Sequence, residues 1–455
     1  MFWGEPTPLG EKRSKLHMPL AGDIARTSAD LLFSEPPTFK VENSGTQQRL
    51  EDMLTRGFKK TLLGAGEVSA ALGGVYLRAF WDDEISDRPW ITAVHADAAA
   101  PEFRGGQLYA VTFWTVLESD GTTVVRHLER HEPGTILHGV YEGTVDNLGT
   151  PRKLADFAET RVLLPARSLN IGRRLAVEHV PNSVVARDWR DVPGTTGLGQ
   201  ADIQGSETFL DALDETYTSW MRDIRLGKSR IIVPDGYMRS NGPGQGMSWD
   251  DREVFAGLNI PPSEGRDITL NQFAIRYEEH QATVKELIGK IVRNAGYNGG
   301  TFGDDSAGPA ITATEIKAKQ ARSLSTRARK AELFAVALAD ITETLLILEG
   351  TSGLFPGLSS VEVERPDVRF ADSVQDDIKT LAETAALMRQ AEAASTETLV
   401  ALLNPSLDTE AQKAEVARIL KQSGRDVSDP AMTGAEGGGH AGFPSAGGGS
   451  RSQGA

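Results

Sequence analysis

Eight histidines are the first residues to test for chemistry: His17, His95, His127, His131, His138, His179, His280 and His440. His127 and His131 lie four apart, a spacing that on a helix would aim two imidazoles at one metal ion. Their segment, "HLERH", reads instead as strand and turn. It has neither a supporting helix nor a third ligand, so both read as structural or surface histidines. Paired carboxylates occur at Asp82/Asp83, Asp304/Asp305 and Asp376/Asp377. Such pairs can hold a divalent cation or do acid–base work, but on loops and helix starts they read as solvated or capping groups. The Gly-rich stretches "GTTGLGQ" and "GYNGGTFG" lack both the strand-to-helix setting of a dinucleotide site and the Lys-Ser/Thr ending of a phosphate loop. They read as turns or mobile loops. There is no G-x-S-x-G elbow and no cysteine, which removes the activated serine, the thiolate nucleophile, the thiolate metal site and the disulfide framework. The residues therefore offer no catalytic constellation, no metal site and no cofactor site.

Basic residues gather twice. Arg222, Arg225, Lys228 and Arg230 mark the end of one predicted helix, and Lys317, Lys319, Arg322, Arg327, Arg329 and Lys330 fill the polar half of another. Two readings stay open: cations favoured at a helix C-terminus and on a solvated or inter-subunit face, or transient contacts with DNA phosphates. The whole chain is acidic, with net charge -15, which excludes a protein that coats DNA through a broad basic surface. No apolar run reaches the roughly 18 to 20 residues of a membrane span. The first residues lack the apolar core of a secretory signal. Absence of cysteine fits a reducing compartment.

The elements that must position these residues follow from periodicity. Ile24, Leu31 and Leu32 share a helical face after Asp23, a predicted N-cap, and Pro36 and Pro37 stop that helix. A second helix is predicted over about 47–66. Residues 70–190 alternate short β-branched and aromatic segments with turn signals such as Asp120-Gly121 and Pro133-Gly134. That pattern predicts an antiparallel sheet region rather than alternating βα units. A helix over about 203–227 carries Phe209, Leu213, Tyr217, Trp220 and Ile224 on one stripe. A strand at "SRIIVP", a Gly/Pro-rich region over 234–273 and a helix over about 275–294 come next. A loop over 296–309 leads to a capping box at Thr312 and Glu315 and a helix to about 348. Its first half is polar and its second apolar, as in a helix passing from an exposed or interfacial zone into a core. Helices are predicted over 374–393, 395–402 and 408–422. The Gly-rich end has too little apolar content to fold. The fold class is α+β.

Four segments carry a resemblance to a known family: "LHMPLAGDIARTSADLLFSEPP", "GGVYLRAFWD", "RHLERHEPGTILHGVYEGT" and "GLGQADIQGSETFLDALDETYTSWMRDIRLGKSRIIVP". They resemble the portal proteins, or head-to-tail connectors, of tailed bacteriophages, nearest to those of long non-contractile-tailed phages of actinobacteria. The last segment is the most specific, and the resemblance spans about 15–425. It implies a portal-type fold in a ring oligomer, usually of twelve subunits. Residues 1–200 would be a β-rich wing, 201–230 and 274–296 two stem helices, and 231–273 a small α/β clip between them. A tunnel loop would occupy 297–311, a spine helix and strand of the wing 312–373, a crown 374–425, and a disordered tail 426–455. Family members usually carry a further N-terminal segment before the "FWG…LHMPLA" region, where this chain nearly begins, so the outer wing is expected to be short of it.

The function implied is non-catalytic. The ring would sit at one capsid vertex, conduct double-stranded DNA during packaging and ejection, and dock the terminase large subunit and then head-tail connector proteins. Major capsid and scaffold proteins would be further partners. No cofactor and no membrane are implied, and the location is the virion after assembly in host cytoplasm. In the tunnel loop, Tyr297, Asn298, Phe302, Asp304 and Asp305 would be the DNA-channel residues. Arg222, Arg225, Lys228, Lys285, Lys290, Arg293, Lys317, Lys319 and Arg322 are candidates to face DNA, and Tyr237, Trp249 and Phe255 to dock partners at the clip. Twelve copies would carry about -180, a field that repels DNA and lowers friction. Two alternatives remain beside this one: a non-conducting structural or adaptor protein of the virion, and an intracellular enzyme with an unrecognised site.

Overall fold

The structure, a computed structural model, describes residues 16–82, 84–184, 186–227, 230–232, 239–240, 247–248, 269–271, 274–302, 313–350, 353–355, 362–370, 378–404 and 409–422. The chain divides into two compact units, Met1–Ser373 and Val374–Ala455.

The first unit opens with helix α1 (Leu20–Phe33), which buries Ile24, Leu32 and Phe33. Asp23 falls inside its first turn, where a carboxylate favours the helix dipole, and Pro19 holds the N-cap position instead. Strand β1 (Thr38–Lys40) leads to α2 (Ser44–Met53), capped by the Asn43 side chain accepting from the Thr46 amide at 2.9 Å. A π-turn (Leu54–Phe58) joins α2 to α3 (Lys59–Leu72), so the helical run is longer than the predicted 47–66. Gly57 sits in the turn at φ 106°, a value that favours glycine.

Nine strands follow among the described residues, within the region where the turn spacing predicts an antiparallel sheet: β2 (Gly74–Phe80), β3 (Trp90–His95), β4 (Ala99–Arg104), β5 (Gln107–Ser119), β6 (Val124–Glu132), β7 (Thr135–Gly143), β8 (Thr150–Arg152), β9 (Ala166–Ser168) and β10 (Val177–Pro181). They make two antiparallel sheets, β10-β2-β3 and β4-β5-β6-β7-β8, with β9 also pairing β7. Central β2 buries residues on both faces. On one side lies the main core, on the other Tyr76, Val111, Phe113 and Val177.

Helix α4 (Glu207–Leu226) then pairs with α5 (Tyr277–Asn294). Between them lie the short strands β11 (Arg230–Ile232), β12 (Arg239–Ser240), β13 (Met247–Ser248) and β14 (Thr269–Asn271), paired β11–β14 and β12–β13. Helix α6 (Ala313–Gly350) is about 57 Å long at 1.5 Å per residue. Its second half buries Phe334, Leu338, Ile341, Leu345 and Leu346 in the main core beside Phe33, Leu62 and Val75. Strand β15 (Asp367–Arg369) pairs with β1. A second core, built on Leu20, Ile24, Leu210, Leu213, Val284, Ile291 and Tyr297, holds α1 to the helix pair.

The second unit is helical: α7 (Ile378–Gln390), α8 (Thr396–Leu403) and α9 (Thr409–Gln422). Leu399 and Val400 are buried, and Ser395 caps α8 through the Thr398 amide at 3.2 Å. The predicted tail 426–455 and the capping residue Thr312 lie outside the described residues.

Candidate functional site

The α4–α5 pair is antiparallel, and each end has its own fastening. At the α4 C-terminal end, Trp220 stacks on His280 with an interplanar angle of 9° and meets Tyr217 and Tyr277. Asp223 accepts from His280 Nε2 at 3.0 Å and from Arg276 at 2.8 Å. The His280 bond, then the Arg276 bond and charge, holds its carboxyl below the usual range. At the other end, Asn294 Nδ2 donates to Ser206 Oγ at 2.8 Å, and Lys290 lies 5.9 Å from the Phe209 ring centroid. The segment before α1 clamps the middle: His17 Nδ1 and the Met18 amide both reach the Asp214 carboxylate at 2.8 Å.

Beyond α5 the chain turns at Gly296 and runs along α6. One face of α6 carries Ser323, Thr326 and Lys330, all buried and spaced three and four apart. Ser323 Oγ accepts the Asn298 amide at 3.0 Å and pairs with Thr301 Oγ1 at 2.9 Å. Thr326 Oγ1 donates to the Gly296 carbonyl at 2.7 Å. Lys330, 5% exposed, donates to Asp202 Oδ2 at 2.6 Å, to Ser28 Oγ at 2.7 Å and to Tyr297 OH at 3.1 Å. Tyr297 OH donates in turn to Asp202 Oδ2 at 3.1 Å, and Asn182 Nδ2 donates to Asp202 Oδ1 at 2.7 Å. Burial lowers the Lys330 ammonium against the opposing pull of Asp202, and burial with the Asp202 charge raises the Tyr297 phenol.

The predicted site residues scatter over this frame. Tyr297 is 2% exposed, so it anchors the start of the connection and does not present its ring to DNA as the resemblance implied. The cause is its hydroxyl, which finds two charged partners inside the chain. Phe302 is half-buried against the second core, edge-on to Tyr297 at 6.1 Å, and Asn298 is half-buried. The basic set splits between the two ends of the helix pair. Arg222 and Arg225 are exposed near the α4 C-terminus. Lys290, Arg293 and Arg322 gather at the opposite end, where Arg322 donates to the Arg293 carbonyl at 2.8 Å. Lys285 is exposed between the ends, and Lys290 pairs with Glu286 at 3.3 Å. Asp304, Asp305, Lys228, Tyr237, Trp249 and Phe255 lie outside the described residues; Lys317 and Lys319 lie in α6, with side chains outside the description.

Sequence reasoning, which places the polar half of α6 in an exposed or interfacial zone, misses its polar face buried within the chain. The signal was present: Ser323, Thr326 and Lys330 continue the spacing of Phe334, Leu338 and Ile341. It also missed the buried pair Arg49–Glu349, joined at 2.5 Å. On α4 the buried residues are Leu210 and Leu213, while Phe209 and Ile224 of the predicted stripe are 37% and 38% exposed.

The histidines of β6 and β7 are structural. His127 Nε2 and His138 Nδ1 lie 3.1 Å apart in stacked rings, and His131 Nε2 reaches Glu129 Oε1 at 2.6 Å. Burial alone would raise Glu129, but the His131 bond and the Arg78 charge hold it at about 2. Among the described residues no cluster of three or more His, Asp or Glu side chains could hold a metal ion. No helix there is long and apolar enough to cross a membrane.

Residues 187–429 match the family described as "Phage portal protein, SPP1 Gp6-like". No curated protein matches the chain. Two solved structures are similar over most of the chain. One is described as "Neck of native GTA particle computed with C12 symmetry", with TM-score 0.40, 13% identity, 88% of this chain and 89% of that chain covered. The other is described as "Neck of empty GTA particle computed with C6 symmetry", with TM-score 0.43, 13% identity, 85% and 90% covered.

Proposed function

We propose, from the premise that the chain belongs to the family of SPP1 Gp6-like phage portal proteins, that it forms a ring of about twelve copies. Membership makes it a structural portal or connector component of a virion. The finer reading is that the ring conducts double-stranded DNA at one capsid vertex during packaging and ejection, without catalysis of its own. The family match carries this reading, because it runs through both paired helices, the connection after them, the long helix and the C-terminal helices.

In this reading residues 1–200 form the wing, 201–230 and 274–296 the stem, and 231–273 the clip that docks terminase and later the connector proteins. Residues 297–311 form the loop nearest DNA, 312–373 the spine of the wing and 374–425 the crown. Contact with DNA is transient and non-specific. The exposed Arg222 and Arg225 touch phosphates at one level of the channel, and Lys290, Arg293 and Arg322 at another, about 21 Å away along α5. Capsid and scaffold proteins would meet the wing during assembly in host cytoplasm.

Native mass spectrometry with negative-stain microscopy of the purified chain tests this. Rings of about twelve copies with a hole wide enough for duplex DNA, roughly 20 Å, are expected. Closed oligomers without such a hole would replace the conducting role by a plain adaptor. A small oligomer with a deep polar pocket and no ring at high concentration would overturn the ring.

A further inference from the structure

We infer that Lys330 is a positioning residue, whose buried ammonium fixes the start of the α5–α6 connection, Gly296–Phe302, to α6 and to α1. Four sequence-distant segments converge on this atom's network: Ser28 on α1, Asn182 after β10, Asp202 before α4 and Tyr297 after α5. An ammonium has three donors and no acceptor. Here they meet the Asp202 carboxylate, the Ser28 hydroxyl and the Tyr297 hydroxyl, and the phenol passes its own proton bond on to Asp202. An apolar contact at this place would tolerate a slip of the chain. Directed bonds at 2.6 to 3.1 Å specify one register.

The same face of α6 repeats the arrangement one and two turns earlier. Thr326 holds the Gly296 carbonyl and Ser323 holds the Asn298 amide. Sliding α6 by one turn, about 5.4 Å, would break every one of these bonds. Displacement of α6 and displacement of Gly296–Phe302 are thereby coupled, and Lys330 reaches α1 as well, beside Arg327 Nε, which donates to the Leu31 carbonyl at 2.6 Å. This assignment concerns the chain's own geometry and holds whether or not the connection meets DNA.

Amide hydrogen exchange, read beside thermal unfolding, tests it in the full chain. Tyr297→Phe removes only the hydroxyl. We expect exchange at the amides of Gly296, Tyr297, Asn298 and Thr301 to speed up at least fivefold, with the unfolding midpoint shifted by only a few degrees. Lys330→Met alone strands the Asp202 charge and is expected to unfold readily. The double variant Lys330→Met with Asp202→Leu removes both charges, so its midpoint recovers much of what Lys330→Met loses, while the Ser28, Asn182 and Tyr297 groups left without these partners keep it below wild type. Exchange at those four amides then stays about tenfold fast while exchange in β2 and the second half of α6 is normal. A general structural role predicts otherwise: local protection would return together with the midpoint. Wild-type exchange at the four amides in both Tyr297→Phe and the double variant overturns the assignment, as does acceleration spread evenly over the chain.

Discussion

Glu349 has no exposed side-chain surface, and its carboxylate takes bonds from Arg49 Nε at 3.0 Å and Nη2 at 2.5 Å, with Arg88 3.9 Å away. Removing one partner of such a pair leaves an uncompensated buried charge. Glu349→Ala is expected to cost about 3–5 kcal/mol in urea unfolding, whereas Arg49→Met with Glu349→Leu should come within about 1 kcal/mol of wild type. A single variant as stable as the double one would show that the pair is not closed to water. His179 gives a pH dependence. Its ring lies 4.7 Å from Tyr76 and 5.5 Å from Phe103, and burial lowers it from 6.5 to about 4. The unfolded chain takes up this proton near pH 6.5, the folded chain only near pH 4. Stability from the neutral ring is complete above pH 6.5 and is lost as pH falls towards 4, by roughly 3 kcal/mol. Neighbouring Glu178 works against this: burial and then the Asp340 charge raise it to about 7, so its proton favours the fold as pH falls from 7 to 4.5. The difference between wild type and His179→Phe isolates the histidine. It should change by roughly 2.5 kcal/mol between pH 7 and pH 4.5; a difference constant with pH would exclude the assignment.

At the scale of elements, the three long helices are legible because their apolar stripes are periodic: α4 runs over Glu207–Leu226 against an expected 203–227, α5 over Tyr277–Asn294 against 275–294, and α6 over Ala313–Gly350 against 312–348. The β-rich stretch was legible from its turn signals. What stayed hidden was which face of a helix is buried when burial is achieved with polar atoms. Ser323, Thr326 and Lys330 look like a solvated face until their partners, brought from residues 28, 202 and 296–301, are in place. The "GTTGLGQ" stretch reads as a turn or mobile loop, yet Gly199 is constrained by packing, because a Cβ there would lie 2.1 Å from the Gly73 carbonyl. No local pattern encodes that distance. The division of the basic residues was equally invisible, since it depends on α5 running back along α4. It yields a separable prediction for the assembled ring. Arg222→Gln with Arg225→Gln, and Lys290→Gln with Arg293→Gln, should each reduce the salt dependence of DNA binding, the slope falling by about 0.9 for each phosphate no longer neutralised. Their effects should add, because the ends are far apart. If either pair leaves the slope of log K against log salt unchanged, that end does not meet DNA.

For the whole molecule the question is what covers the apolar surface that one chain leaves open. Scattered exposed apolar residues are ordinary, but here several sit on the helix pair. Phe209 lies at one end, and Ile224, Leu226, Ile275 and Tyr277 at the other, around Gly227. Their chain-internal neighbours are already satisfied: Leu210 and Leu213 fill the second core, and Trp220 is stacked on His280. A net charge of -15 opposes close approach of copies, so association needs apolar contact to outweigh it. In a closed ring each copy uses two different surfaces, one for each neighbour, and a helix pair with apolar residues outside its own seam can supply one of them. Ile224→Asp with Phe209→Asp adds charge at two positions that are more than a third exposed and lie outside both main cores. The expected result is loss of rings in native mass spectrometry, leaving monomers whose unfolding midpoint lies within a few degrees of that of the wild-type monomer. A single-site variant should give a partial effect, visible as rings that dissociate at lower protein concentration. Rings that persist unchanged in the double variant would place the subunit contact elsewhere. The open face of the six-stranded sheet, where Trp114, Leu128, Leu137 and Tyr141 are only half-buried, would then be the next surface to charge.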